Sequence, residues 1–290
     1  MTDTRTRPQT RIRWPEVIER AAEIAGSYST PVTLRQLHYR LVAEHLIPNT
    51  RSAYKSLSSE SAKARRAGVF PALTDRGRRI ENLWSYSDPA EAVGRLARGY
   101  RRDRTAGQDE AVWVVVEKDT LIEQITAWVD GYGIPVVALR GYGSQTIIDD
   151  VRGEVLADGR DTTAVYIGDL DASGEDIERD FHERTDYCFA DVRRVAVTFE
   201  QIDTLGLEPV PGKSADSRAG RFVENYGELI AVEVEAIDPA ELERLVRREV
   251  EAIVDLDLLG QVRNREDRER ALLVDAARRL ADVGGVDDDE

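Results

Sequence analysis

The sequence predicts an α/β chain: a basic helical module, then an open parallel sheet wrapped by helices, then C-terminal helices. Three observations carry this. From Ala111 onward, short β-branched runs alternate with helical stretches of about 10–15 residues, the order of parallel βαβ units with right-handed crossovers. Two of those runs, Val112-Trp113-Val114-Val115-Val116-Glu117 and Ala164-Val165-Tyr166-Ile167-Gly168-Asp169, are apolar at consecutive positions, as strands covered on both faces are, and both end in carboxylates. Charge is unevenly divided. The 290 residues hold 40 Lys+Arg and 55 Asp+Glu, a net charge of −15, yet residues 1–110 carry 20 basic against 13 acidic side chains and residues 111–290 carry 20 against 42. Halves of opposite sign point to a basic binding module joined to an acidic domain, most of whose charges serve as a soluble surface.

Composition excludes several classes. The length allows one to two domains with ample core, and the 41% apolar content suits a folded globule. A single cysteine, Cys188, rules out an internal disulfide and speaks against a cysteine-based metal site. No stretch approaches the roughly 18 uninterrupted apolar residues of a membrane span. The N-terminal MTDTRTRPQTRIR lacks the apolar core of a signal peptide, so a cytoplasmic, nucleoid-associated protein is expected.

Residues 1–13 read as a basic arm able to touch phosphates. Pro15 suits the first turn of a helix running through Val17, Ile18, Ala21, Ala22 and Ala25 to Gly26. Thr33 and Gln36 fit a capping box that opens a second helix, ending near Leu46 before Pro48. A third helix opens at Asn49 or Thr50 and closes at about Arg66, ahead of Gly68. Val69–Tyr86 then mixes β-formers with Gly77 and the basic run Arg76, Arg78 and Arg79. Three helices and a basic ribbon are the order of a winged-helix variant of the helix-turn-helix. The third would be the recognition helix, offering Arg51, Lys55, Lys63, Arg65 and Arg66 to double-stranded DNA, with the ribbon adding Arg76, Arg78 and Arg79. A small helical bundle with a solvated basic face is the alternative. This domain takes in residues 14–108.

Asp88-Pro89 opens a helix to about Arg104, and the polar segment Asp103–Glu110, with Gly107, marks the boundary. The order that follows is strand 112–117, helix 119–130, strand 134–139, the turn Gly141-Tyr142-Gly143, helix 144–157, strand 163–168, helix 174–183 and strand 192–198. This is a sheet domain over residues 109–200. Beyond Phe199 the pattern weakens: 207–220 is loop-like, with Lys213, near Arg218 and Arg221, as a weak phosphate candidate, and Leu229–Ile237 reads as a strand. Pro239 opens an amphipathic helix through Leu242, Leu245, Val246, Val250 and Ile253, and a final helix spans about Arg265–Val283. Residues 201–286 are expected to pack on the sheet domain, leaving an acidic tail at 287–290.

Glu117, Asp169 and Asp171 fall at the C-terminal ends of two strands, where open α/β sheets place their sites. Carboxylates gathered without a basic cluster repel one another, and a hard divalent cation is the usual remedy. Solvated strand ends or helix caps are the bland alternative, and Asp171 or Ser173 can cap the following helix while Asp171 also serves the metal. An isolated Asp-x-Asp also occurs in haloacid-dehalogenase phosphatases and sugar-nucleotide transferases. The phosphatase pattern, however, sets it after the first strand with Thr or Val two residues on, whereas here it follows the third strand and position 173 is Ser. Strand-Glu, helix, strand, glycine turn, helix and strand-Asp-x-Asp together resemble the Toprim domain of topoisomerases, bacterial primases and several nucleases, over about residues 111–200. The resemblance implies a Rossmann-like parallel sheet in which Glu117, Asp169 and Asp171 bind Mg²⁺, or Mn²⁺ in its place, near a DNA phosphate. Within that group, Asp-x-Asp-x-x-Gly closing at Gly174, and the glycine turn preceded by Arg140, are similar to the A subunit of the type IIB topoisomerase (topoisomerase VI) and its meiotic double-strand-break relatives. Type IA enzymes and primases carry a further acidic residue where this chain has Ser173. Glu175 stands as an outside candidate, more in keeping with a first-turn helix position favoured by the macrodipole.

In that family a winged-helix domain precedes the Toprim domain and contributes a nucleophilic tyrosine in an Arg-x-x-Tyr-Tyr-like motif. Here Arg35-Gln36-Leu37-His38-Tyr39 matches it with His38 at the first tyrosine, extending the resemblance over most of residues 15–200. Helical geometry bears on Tyr39 independently. Leu34, Leu37, His38, Leu41, Val42 and His45 share one apolar stripe, and Tyr39 falls roughly 130° from its centre, on the side of Arg35 and Ala43. A core-filling tyrosine belongs in the stripe, whereas this one sits beside an arginine able to stabilise a phenolate or hold the scissile phosphate. Packing against a neighbouring domain, or contact with the DNA backbone, are the structural alternatives. His38 reads as a partly buried packing histidine.

The expectation is therefore Mg²⁺-dependent DNA cleavage by tyrosine transesterification, with Tyr39, Arg35, Glu117, Asp169 and Asp171 as catalytic residues. The resemblance further implies a homodimer in which the tyrosine of one subunit approaches the metal of the other, and the absence of a P-loop means that strand passage would need a separate ATPase partner. A hydrolytic nuclease using metal-activated water, and a non-catalytic DNA-binding protein, are the alternatives.

Overall fold

The computed structural model describes residues 12–28, 31–74 and 85–284. The basic arm through residue 11, the ribbon arginines Arg76, Arg78 and Arg79, and the acidic tail lie outside the described residues. The chain packs as two compact units, each discontinuous in sequence. One comprises Met1–Gly77, Gly168–Glu175 and Ala196–Glu243; the other comprises Arg78–Ile167, Asp176–Val195 and Arg244–Glu290.

The first unit begins with α1 (Trp14–Ser27), α2 (Leu34–Ala43) and α3 (Arg51–Arg66). Their apolar stripes meet in a core of Val17, Ala21, Ile24, Leu37, Leu41 and Leu57. The expected capping box forms: the Gln36 amide donates to Thr33 Oγ1 (3.2 Å) and Gln36 Oε1 accepts from the Thr33 amide (2.8 Å). Thr50 likewise caps α3, accepting from the Ala53 amide at 3.2 Å. α2 stops at Ala43, short of the expected Leu46, because His45 takes a left-handed backbone (φ 56°) that turns the chain. His45 therefore leaves the apolar stripe and pairs with Glu208 at 3.2 Å. α3 turns Ala53, Leu57 and Ser61 inward, and leaves Arg51, Lys55, Arg65 and Arg66 exposed.

The later part of this unit contains α8 (Phe199–Thr204), α9 (Ala219–Tyr226) and a two-stranded antiparallel ribbon of Val210–Pro211 with Ile230–Ala231. The strand expected over Leu229–Ile237 is thus cut short. It breaks into a 3₁₀ turn at Val234–Ala236, anchored by Val232, Val234 and Ile237, which are all buried.

The second unit holds the mixed α/β architecture. β1 (Glu110–Val116), β2 (Val136–Ala138), β3 (Asp161–Ile167) and β4 (Asp191–Ala196) form a four-stranded parallel sheet in the order β2-β1-β3-β4. β1 and β3 run in register from Glu110 opposite Asp161 to Val116 opposite Ile167. α5 (Ile122–Val129), α6 (Gln145–Asp158) and α7 (Ala172–Arg184) supply the crossovers. Trp113, Val115 and Tyr166 of the sheet share one core cluster with Ile148 and Val151 of α6 and Ile177 and Phe181 of α7. Gly159 ends α6 in the left-handed conformation (φ 76°), the usual glycine stop.

α4 (Pro89–Gly99) packs against a long terminal helix, and here two expectations are corrected. α4 ends at Gly99, five residues early, because residues 100–104 leave the helix to reach the terminal one. The Tyr100 hydroxyl donates to Glu269 (2.6 Å), Arg102 Nη1 also bonds Glu269 (2.7 Å), and Arg104 Nη2 bonds Glu266 (2.7 Å). The terminal helix, α11 (Leu256–Gly284), starts nine residues earlier than expected. Asp255 caps it, accepting from the amides of Asp257 and Leu258 (2.9 Å each).

Glu266 is 1% exposed, and its hydrogen bond from Arg104 holds its carboxyl far below the ordinary 4.5, at about 2. Because the folded value is the lower one, this stabilisation is full above about pH 4.5 and is lost as pH falls towards 2. Glu266→Ala leaves the Arg104 guanidinium buried without its partner. It is expected to lower the unfolding free energy by about 3–5 kcal/mol in neutral urea titrations. The difference from the parent should shrink as pH falls through the same window, and a constant difference from pH 7 to pH 3 would contradict the assignment.

Candidate metal centre and tyrosine site

At the end of β3 the chain crosses into the first unit, and its next residues are stapled there. The Gly168 amide continues the β3–β4 ladder to the Ala196 carbonyl (2.8 Å), and beyond it Leu170 and Val232 exchange backbone hydrogen bonds of 3.0 and 2.9 Å. Between them, Asp169 Oδ1 accepts from the Val234 amide at 2.9 Å. One carboxylate thus holds the 3₁₀ turn that carries the other two. The turn buries the Glu235 side chain completely and leaves that of Glu233 36% exposed.

Asp169, Glu233 and Glu235 each bring a carboxylate oxygen within 4.8 Å of the others. At such a separation, like charges in a partly buried setting of effective dielectric about 20 repel by roughly 3 kcal/mol per pair. A guanidinium meets two of them. Arg35 on α2 lies 3.6 Å from Glu233 and 3.5 Å from Glu235. Burial opposes the Arg35 charge, but Glu235, Tyr39 and Glu233 together outweigh it and raise its pKa. An all-oxygen donor set of this kind fits a hard divalent cation and not a thiolate- or imidazole-preferring one.

Arg35 also joins this group to the tyrosine one turn further along α2. Its guanidinium carbon sits 5.7 Å from the Tyr39 ring centroid, and its side chain hydrogen-bonds that of Tyr39. Tyr39 is half-buried, outside the apolar stripe, as helical geometry requires. His38, 4% exposed, is edge-on to Tyr39 (5.5 Å) and Tyr54 (5.3 Å), and its Nε2 has no hydrogen-bond partner. Burial and the Arg35 charge depress its pKa, so it is a neutral packing group at pH 7.

The carboxylate group that forms differs from the expected one. Glu117 is buried just beyond β1, its amide bonded to the Ile167 carbonyl (2.8 Å), and is not among the three. Asp171 is the N-cap of α7: its Oδ1 accepts from the amides of Ser173 (2.9 Å) and Gly174 (2.7 Å). A carboxylate directed at its own helix terminus is held there by charge-assisted bonds and by the macrodipole. Asp171→Ala should therefore cost about 1 kcal/mol of stability. Asp171→Asn should cost less, and neither should move the midpoint of a Mn²⁺ titration; a shifted midpoint in Asp171→Asn would return Asp171 to the metal. Glu175 is occupied elsewhere, bonded to the Tyr226 hydroxyl.

Glu233 and Glu235 went unrecognised in the sequence. The signal was there: two glutamates at alternate positions in Ile230-Ala231-Val232-Glu233-Val234-Glu235-Ala236-Ile237, a run otherwise apolar throughout. On the basic helix, Lys63 is engaged by Glu60 at 2.6 Å, and in the 207–220 loop Arg218 is engaged by Asp216 at 2.7 Å.

No protein-family model matches the chain, and no curated protein matches it. Among the described residues, no helix is long and apolar enough to cross a membrane.

Proposed function

We propose that this chain is a metal-dependent DNA-cleaving protein in which Tyr39 attacks a backbone phosphate. One observation carries the reading: within a single unit, Arg35 contacts both Tyr39 and two members of the Asp169–Glu233–Glu235 group. The candidate nucleophile and the candidate cation ligands therefore share one charge-balancing residue. Asp169, Glu233 and Glu235 would hold Mg²⁺ or Mn²⁺. Such an ion, when bound, supplies charge neutralisation at the phosphate and the leaving oxygen.

The remaining steps belong to the protein. Arg35 orients the Tyr39 side chain and favours its ionised form. The Tyr39 oxygen forms the bond to phosphorus, the bond to one deoxyribose oxygen breaks, and the tyrosine proton ends on that oxygen. The products are a phosphotyrosyl link and a free hydroxyl. The exposed Arg51, Lys55, Arg65 and Arg66 of α3 neutralise duplex phosphates. Arg35 holds Tyr39 and the carboxylates in one chain, so the tyrosine need not come from a second subunit.

The deciding experiment uses supercoiled plasmid with Mg²⁺ or Mn²⁺, quenched in detergent. Protein carried on the cut ends supports transesterification. Protein-free ends favour hydrolysis by metal-activated water. Binding without cleavage, unchanged in Asp169→Ala, leaves a DNA-binding module only.

A further inference from the structure

Beside Tyr39 lies a cavity of about 400 Å³, formed wholly within the first unit. Its walls are the C-terminal half of α2, the segment 205–210 and the segment 231–241. Both Tyr39 and Glu233 line it, so it adjoins the candidate nucleophile and the candidate metal ligands alike. The volume lies within the range of small-ligand sites, large enough for one nucleoside and far too small for a duplex.

The lining says what chemistry would fit. Leu205, Leu207, Val42, Val232 and Ile237 give apolar walls, and Tyr39 adds an aromatic ring. Five acidic side chains line the walls; Glu44 pairs with Arg20 (2.8 Å), Asp238 with Arg40 (3.3 Å) and Glu233 with Arg35 (3.6 Å), Glu208 contacts His45 (3.2 Å), and Glu241 is the fifth. Yet acidic side chains still outnumber the one lining arginine, so a phosphate would be repelled. Arg40 joins the wall, its guanidinium held by Asp238. A flat, uncharged ligand, apolar on its faces and carrying hydrogen-bond donors on its edge, matches apolar and aromatic walls set with carboxylate acceptors.

We infer that the cavity receives one unpaired nucleobase, extruded from the duplex beside the phosphate presented to Tyr39. This rests on the reading of the chain as a DNA-cleaving protein and adds a specificity to it. Extrusion costs least where a base is already unpaired, so mismatched DNA should be the preferred substrate.

The test measures binding of the full chain, by fluorescence anisotropy with Ca²⁺ in place of Mg²⁺, to a paired duplex, a duplex with one mismatch and a duplex with one abasic nucleotide. The wild type should bind the mismatched duplex about tenfold more tightly than the paired one, the scale of one base stacked on an aromatic side chain. Ala43→Phe fills the cavity from an exposed helix position, and Asn49→Ala removes a polar wall group without filling it. Ala43→Phe should erase the mismatch preference while binding abasic DNA like the wild type; Asn49→Ala should reduce the preference only in part. Equal binding of paired and mismatched duplexes by the wild type, or an undiminished preference in Ala43→Phe, would overturn the inference. A mismatch preference with no Mg²⁺- or Mn²⁺-dependent cleavage would instead overturn the cleavage reading and leave the base pocket standing. Failure to bind any of the duplexes would overturn both.

Discussion

Tyr39→Phe is expected to abolish the covalent protein–DNA product and to lower cleavage on the order of 10⁴–10⁶-fold, the scale on which removal of a nucleophile acts. The change deletes one oxygen. The ring, its edge contact with His38 and the guanidinium 5.7 Å from its centroid all remain, so folding should be nearly unaffected. Duplex affinity, set by the basic face of α3, should also hold, as should the Mn²⁺ titration. That combination separates a chemical role from a structural one. Cleavage by Tyr39→Phe at the parent rate, with free ends, would remove Tyr39 from the chemistry and assign the attack to water.

Glu235→Gln should have the second largest effect. Its side chain has no solvent exposure, it is close in shape to the original, and it lies in the 3₁₀ turn held by Asp169. The substitution removes one of three negative charges and leaves Arg35 paired with Glu233. Metal affinity should fall at least about 100-fold, because even loss of an outer-shell partner costs 10–100-fold. A thermal scan provides a readout independent of activity. At metal concentrations near 100 times the dissociation constant, the parent gains about 2.7 kcal/mol. This is a rise of roughly 4 °C in Tm for a chain of this size. Glu235→Gln should show almost none of that rise, and an equal rise in both proteins would place the ion elsewhere. Metal-free Glu235→Gln should meanwhile unfold no earlier than the metal-free parent, since mutual repulsion among the three carboxylates is relieved.

Much of the architecture was legible because it rests on short-range signals. The capping box at Thr33 and Gln36, the α3 cap at Thr50 and the β-branched runs of β1 and β3 each declare themselves within a few residues, and each appears in the structure. The off-stripe position of Tyr39 was likewise a matter of angle along one helix. The α11 cap was overlooked although Asp255 stands in the sequence as plainly as Thr50 does. The end of α4 was less readable, because what draws residues 100–104 out of the helix is a set of carboxylates more than 160 residues away in α11.

The carboxylate group shows the same division. By itself the sequence determined that Asp169 closes a buried strand, and that an arginine and a tyrosine share a helix face one turn apart, since periodicity and strand termini are local properties. Which acids join Asp169 was decided only by tertiary structure. Asp171 is two residues away but is drawn to the amides of its own helix, whereas Glu233 and Glu235 are brought in by a backbone bridge between Leu170 and Val232 and by the amide of Val234. Proximity along the chain places a carboxylate near a strand end; the hydrogen bonds available after folding decide where its oxygens point.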